Sequence, residues 1–271
     1  MCTQYLLVLL NFLRGVTSRP NAVGQGYRPA AFQVPTNPSI VDTLFTLNAG
    51  STRQKGDLSA AASANPLQKG HVWYTNLKVE GQTYRLVIDT GSSDTWIVKP
   101  SFTCLDFGTG APTSQSACHF GPGYAPGSGF KFIPNEHFNT TYPSGENLKG
   151  GHLGLWTVNT QIATIDPAIW LGDGTTSGLL GLAYPSITAA FNGTTFDYDN
   201  AETQIPYDPI FTAMYKQHLI PPIFSLALSR PSNRIGYGNG YLALGGLPPI
   251  ATESSLHPSD NFLYLSSQRH N

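Results

Sequence analysis

An aspartate, two hydroxyl residues and a glycine stand together at Asp89-Thr90-Gly91-Ser92. The apolar runs Leu86-Val87-Ile88 and Trp96-Ile97-Val98 bracket them. A carboxylate fixed at the end of a rigid apolar strand, in a low-dielectric setting, can take a proton from water as a general base. Gly91 lets the backbone turn back sharply and approach a ligand. Thr90 and Ser92 offer hydroxyls that can hold the carboxylate. The bare tripeptide is also an ordinary hairpin turn. Its placement between two buried-type strands is what marks Asp89 as a candidate for chemistry. The seven histidines are scattered, and none makes the i, i+4 pair of a zinc helix. No metal site and no cofactor are expected.

The elements that must position Asp89 are short and β-like. Residues 71–100 hold three runs of alternating apolar and β-branched residues. A turn is expected at Glu80-Gly81 and another at Thr90-Gly91. A loop-rich stretch follows over 101–134. Hairpin-like runs come next at 137–142 and 152–158, joined through Pro143-Ser144-Gly145. Residues 178–184 form a compact apolar run with two glycines. Helical spacing over 208–218 puts Ile210, Phe211, Met214 and Tyr215 on one face, and Pro221-Pro222 stops it. Two further strands are expected at 223–228 and 241–244. With 28 glycines, 21 prolines and 11% charged residues in 271, the chain reads as an all-β domain. The net charge of −1 offers no basic stripe for phosphates, so nucleic acid is excluded as a partner.

The apolar stretch over residues 5–13 has the length of a signal-peptide core and is too short to cross a bilayer. Residues 1–18 are expected as a secretory signal, and residues 19–66, rich in Pro, Ala, Ser and Asn, as a propeptide or extended segment. Without the signal no membrane association is expected. Cys104 and Cys118 flank a Gly/Ser/Thr-rich loop, and an intrachain disulfide is the reading that suits an oxidising compartment. Two glycosylation sequons, at Asn139 and Asn192, fit a secreted or vacuolar protein.

The run around Asp89 resembles the pepsin-like aspartic proteases, and the resemblance continues downstream in family order. Their flap is usually Phe-x-x-x-Tyr-Gly-x-Gly followed by Gly-x-x-Gly-x-x-Thr-Val. Here Phe138-Asn139-Thr140-Thr141-Tyr142-Pro143-Ser144-Gly145 precedes Gly151-His152-Leu153-Gly154-Leu155-Trp156-Thr157-Val158. Their Asp-Gly-Ile-Leu-Gly-Leu-Ala-Tyr-Pro-Ser run appears as Ser177-Gly178-Leu179-Leu180-Gly181-Leu182-Ala183-Tyr184-Pro185-Ser186. Their closing Gly-x-Leu-x-x-Gly-Gly strand appears at Gly240-Tyr241-Leu242-Ala243-Leu244-Gly245-Gly246. The resemblance covers residues 67–250 and implies an N-terminal pepsin-like lobe. That lobe would have closed, barrel-like antiparallel sheets, a flap hairpin and one or two short helices. Residues 251–271 read as a truncated tail.

Carried over position by position, the resemblance implies that Asp89 is one of two catalytic carboxylates, supported by Thr90, Gly91 and Ser92. Tyr142 would close over a peptide or protein substrate, its hydroxyl held by Trp96. Ser144 and Gly145 would complete the flap tip, and Leu179 would line the pocket for the side chain before the scissile bond. Three departures stand out. Pro143 replaces a glycine whose N–H normally donates to the bound peptide. Ser177 replaces an aspartate. The chain has no second Asp-Thr-Gly or Asp-Ser-Gly. The family mechanism needs two carboxyl groups so close that they share one proton, a property known for this family. A lone carboxylate can act only as a base.

Three readings stay open: one lobe of a two-lobed endopeptidase, inactive without its missing C-terminal lobe; a homodimer in which each copy gives one Asp89; or a non-catalytic protease-like binding or inhibitor module. For the first reading, Leu86, Ile88, Leu180 and Leu182 are expected to form an apolar patch left uncovered beside the cleft.

Overall fold

The computed structural model describes residues 5–11, 60–67, 71–127, 130, 132–155, 158–229, 240–248, 256–259 and 262–265. Its framework is a hairpin set by local chemistry. In β3 (Val72–Val79) the burial alternates strictly, with Trp73, Thr75, Leu77 and Val79 turned inward. That period of two is the signature of a half-buried strand. Glu80 and Gly81 both take positive φ, 48° and 79°. This is the two-residue turn whose twist suits a tight hairpin, and it sends the chain back as β4 (Gln82–Asp89), paired from Val79↔Gln82 to Tyr74↔Val87.

Beyond Asp89 the expected second hairpin does not form. The chain loops through 90–95 into β5 (Trp96–Val98), but β5 does not pair with β4. Between them lies β9 (Gly178–Gly181), parallel to β4 and antiparallel to β5. The fit is possible because a Cβ on Gly178 would sit 1.9 Å from the Trp96 carbonyl oxygen, and one on Gly181 2.3 Å from the Ser93 carbonyl carbon. Only glycine lets the backbones come so close.

The expected flap hairpin is β6 (Phe132–Thr141) and β7 (Asn147–Leu155). It starts earlier on both sides than the apolar runs suggested, since 147–151 already pair with β6. Trp156 and Thr157 of the flap motif lie outside the described residues. Strand β8 (Thr160–Ile169) pairs with β7 antiparallel and with β5 parallel. The short β10 (Ala190–Asn192) closes onto β6.

The helix α1 (Ile210–Lys216) follows Pro209 and buries Ile210, Phe211 and Met214 of the expected face, together with Thr212 and Ala213, while Tyr215 is only partly buried. Among the described residues it is the only α-helix. Strands β11 (Ile223–Ser229) and β12 (Gly240–Leu244) pair with each other, and β12 pairs with β2 (Ala60–Leu67). The fold is all-β, with the parallel pairings β4–β9 and β5–β8 at its centre.

Three stretches outside residues 67–250 also carry strands. Strand β2 begins at Ala60, inside the stretch expected as a propeptide. Residues Tyr5–Asn11, expected as a signal core, form β1 between β11 and β14 (Phe262–Leu265). The expected tail holds a hairpin of β13 (Leu256–Ser259) and β14.

Two apolar cores flank the central strands. One gathers Leu77, Leu86, Leu180, Leu182, Phe211, Met214, Phe224 and Leu244. The other gathers Trp96, Val98, Phe138, Leu148, Ile165 and Leu179 under the flap. This corrects the expected open patch. Leu86, Leu180 and Leu182 are fully covered by the lobe's own helix and strands, and Ile88 is half-buried against them.

Candidate active site

Asp89 ends β4, half-buried, where Gly91 permits the chain to turn. Its carboxylate accepts two bonds: Oδ1 from the Gly91 N–H at 2.8 Å and Oδ2 from the Ser92 hydroxyl at 2.5 Å. Thr90 was expected to share this work, but it is exposed and its place is taken by the Gly91 N–H. Two such bonds fix the orientation of the carboxylate. The loop behind is tied down by backbone bonds. Leu182 N–H donates to the Asp89 carbonyl at 2.8 Å, Ala183 N–H to Ser92 at 3.0 Å and Gly181 N–H to Asp94 at 3.1 Å. The Ser93 hydroxyl donates to the Tyr184 carbonyl at 2.5 Å.

The flap turn is compact. Gly145 N–H donates to the Tyr142 carbonyl at 2.9 Å and Tyr142 N–H to the Glu146 carbonyl at 2.8 Å. Gly145 takes φ 100°. Pro143 supplies the fixed φ of the first corner position, and Ser144 donates its hydroxyl to Glu146. The Trp96 indole N–H donates to the Tyr142 hydroxyl at 2.9 Å. Burial pushes the Tyr142 pKa up, and the carboxylates of Asp94 and Asp89 add to that. Tyr142 therefore stays a neutral hydroxyl that faces Asp89 from the flap. Trp96, Phe120, Tyr142 and Trp170 form one aromatic cluster, with Trp170 edge-on to both Trp96 and Tyr142. Leu179 is buried in the same core as Trp96.

Below the Asp89 loop lies a polar layer that the sequence did not disclose. Asp94 is buried, and its carboxylate accepts the Tyr207 hydroxyl at 2.7 Å and the Ala189 N–H at 3.0 Å to each oxygen. Burial outweighs these bonds and raises its pKa to about 6. The Tyr207 ring packs edge-on to His152, which is buried and has its pKa pulled down to about 3. His152 Nδ1 stands 3.2 Å from Glu136 Oε1, yet neither atom makes a well-formed hydrogen bond. Burial also raises Glu136, so both groups tend to neutrality and the contact is no ion pair near neutral pH. Asp94 stands next to the loop motif and could have been suspected from that alone. Tyr207, 113 residues away, carries no local signal.

Cys104 and Cys118 form the expected disulfide, with Cα atoms 5.9 Å apart. Asn192 is exposed at a turn, whereas the Asn139 side-chain amide donates to Asp199 at 2.6 Å. A cavity of about 340 Å³, lined by Phe102, Gln115, His119, Phe120 and Gly174, includes no residue of the Asp89 loop. No group of His, Cys, Asp and Glu among the described residues could hold a metal. No helix there is long and apolar enough to cross a membrane.

The family model for eukaryotic aspartyl proteases matches residues 73–260. This chain belongs to that family. It is 39% identical over 239 residues to a probable aspartic-type endopeptidase of Aspergillus fumigatus, covering 82% of this chain and 53% of that protein. It is 29% identical over 257 residues to cathepsin D of Dictyostelium discoideum, covering 89% of this chain and 57% of that protein. An aspartic proteinase structure from Irpex lacteus aligns with a TM-score of 0.49 at 17% identity, over 73% of this chain and 51% of that one. The chain thus spans about half the length of the curated relatives it matches.

Proposed function

We propose that this lobe supplies one half of the catalytic site of an acid endopeptidase acting on peptide or protein substrates. Asp89 is the carboxylate that takes a proton from the water attacking a peptide carbonyl. A second, protonated carboxyl donates to the carbonyl oxygen and comes from outside these 271 residues, in a second lobe. The carrying observation is the Asp89 carboxylate, fixed from below by Gly91 and Ser92 and faced from the flap by the Trp96-bound Tyr142. Ser92 orients Oδ2 and the Gly91 N–H orients Oδ1, and a carboxylate so held keeps further lone pairs for water. Tyr142, Ser144 and Gly145 close over an extended peptide, and Leu179 borders the side chain before the scissile bond. With Pro143 at the turn, one backbone donor to that peptide is missing. Passage through the secretory pathway, with residues 1–18 as its signal, suits the disulfide.

The test is cleavage of a denatured protein at acidic pH. The chain alone is expected to be inactive at every concentration. A longer form that brings a second carboxylate turns over and loses about 10²–10⁴-fold or more on Asp89→Asn, which keeps the shape and removes the base. Full activity of that variant places the base elsewhere. Activity of the chain alone that rises steeply with concentration, and is suppressed by added Asp89→Asn chain, means that a second copy gives the partner carboxylate. The single Asp-Thr-Gly also favours a second reading, a peptide-binding or inhibitor module. Tight peptide binding without turnover in any form establishes that one.

A further inference from the structure

The disulfide encloses a small hairpin whose tip reaches the flap. Leu105 bridges Pro112, Asp106 N–H donates to the Ala111 carbonyl at 2.8 Å, and Thr113 N–H donates to the Cys104 carbonyl at 2.8 Å. Asp106 Oδ1 gathers the Gly108 and Thr109 N–H groups and the Thr109 hydroxyl, which fixes the turn that carries Phe107. The base of this hairpin is bonded to β8. Leu105 N–H donates to the Ala168 carbonyl at 2.8 Å and Ala168 N–H to the Thr103 carbonyl at 3.0 Å. Ala168 in turn pairs with Leu148 on the return strand of the flap. Loop and flap therefore share one foundation.

Phe107 is 45% exposed, and its ring lies against the flap turn. A Cβ on Gly145 would meet its Cζ at 2.9 Å and its two Cε atoms at 3.6 and 3.7 Å. The ring tip thus rests on the bare backbone of the flap turn. The same turn is held elsewhere by the Tyr142 hydroxyl on Trp96 and by Trp170 against the Tyr142 ring. Phe120, two residues after Cys118, stacks on Trp170. Both ends of the disulfide loop thus feed contacts to the flap.

We propose that the Cys104–Cys118 loop is a brace for the flap, with Phe107 as the positioning residue that sets the turn at Tyr142–Glu146 over Asp89. Phe107 touches neither Asp89 nor its loop bonds. It acts through Gly145 by denying the turn an outward swing, so substrate meets a flap already near its closed position. The kinetic part of this inference rests on the proposed endopeptidase function. The structural part does not.

The experiment is amide hydrogen exchange on the full chain with Phe107→Ala, Phe107→Tyr and Asp106→Ala. Losing one half-exposed ring contact is expected to speed exchange of the Tyr142 and Gly145 amides about three- to tenfold, the local opening becoming easier by that factor. Peptides covering 82–98 keep their parent rates. Phe107→Tyr, which keeps the ring, restores parent exchange in the flap, and Asp106→Ala loosens it while leaving Phe107 in place. Unchanged flap exchange in Phe107→Ala overturns the brace, as does faster exchange spread evenly over the lobe. In a form with turnover, Phe107→Ala raises KM for a peptide substrate about fivefold and leaves kcat within about twofold. If no form turns over, the endopeptidase reading fails while the exchange result still decides the brace.

Discussion

Asp94 and His152 set opposing pH dependences a few ångströms below the candidate catalytic loop. Asp94 has a folded pKa of about 6, above the ordinary 3.8. The native state therefore binds the proton first, and stability is gained as pH falls from about 6 towards 4. His152 has a folded pKa of about 3, below the ordinary 6.5. The unfolded state binds that proton first, and stability is lost over the same interval. Glu136 is raised as well and acts with Asp94. The effects largely cancel, so the lobe is expected to melt at a nearly constant temperature from pH 6 to 4. Asp94→Asn removes one arm: its melting temperature matches or exceeds the parent's at pH 7 and drops on acidification. His152→Gln removes the other, and that variant gains stability towards pH 4. The Asp94 arm is worth about 3 kcal/mol, from a shift of about two pKa units. Thermal melts at four pH values check both, and parallel curves for parent and variants dismiss the assignment. Asp89, Ser92, Trp96 and Tyr142 were legible because the family writes them in short, ordered motifs. The polar layer beneath was not, because its members meet only through tertiary packing.

At the level of elements, strands with a clean period of two were legible, as was the helix with most of its apolar face, although it ends at Lys216, ahead of the Pro221-Pro222 expected to stop it. The pairing of β4 was not. Thr90-Gly91 between two apolar runs looks locally like a hairpin turn, and nothing nearby says that residues 178–181 will enter the gap. The signal was in the two glycines of that later run, each facing a backbone too near for any side chain. Gly178→Ala or Gly181→Ala is accordingly expected to cost about 3 kcal/mol or more, since the added methyl meets backbone that cannot rotate aside. A melting shift of only a degree or two would show that the three strands are looser than described. The short β10 ends at Asn192, whose sequon lies in an exposed turn. In a secreted preparation Asn192→Gln should shed one glycan, while Asn139→Gln leaves the mass of the glycans unchanged. Intact-mass measurement of both variants reads this directly.

Among the described residues the strands join one sheet, running β10-β6-β7-β8-β5-β9-β4-β3-β2-β12-β11-β1-β14-β13. Its class followed from composition and turn density. Its order could not, because six-residue strands with similar apolar content are interchangeable until long-range packing selects among them. The same holds for Leu86, Leu180 and Leu182. Sequence marks them as apolar and strand-borne, but whether their partner is a second lobe or the chain's own Phe211, Met214 and Phe224 is settled only by where α1 folds back.

The insertion of β9 also imposes an order of events. Nearly every bond that holds the Asp89 loop reaches far down the chain: 91 residues from Ser93 to Tyr184, 95 from Asp94 to Ala189 and 113 from Asp94 to Tyr207. Contacts of that separation close large loops and form late. While the chain is being synthesised, the β3–β4 hairpin can fold from its own turn, but the loop that carries the Gly91 and Ser92 donors stays unanchored until residues 181–207 have emerged. A chain halted at residue 177 should therefore keep the hairpin and leave the β9-facing edge of β4 exposed, with fast amide exchange over residues 86–89. Extension to residue 220 should cover that edge. The lobe thus withholds its reactive geometry until its later strands have emerged, and the delay is written into the strand order.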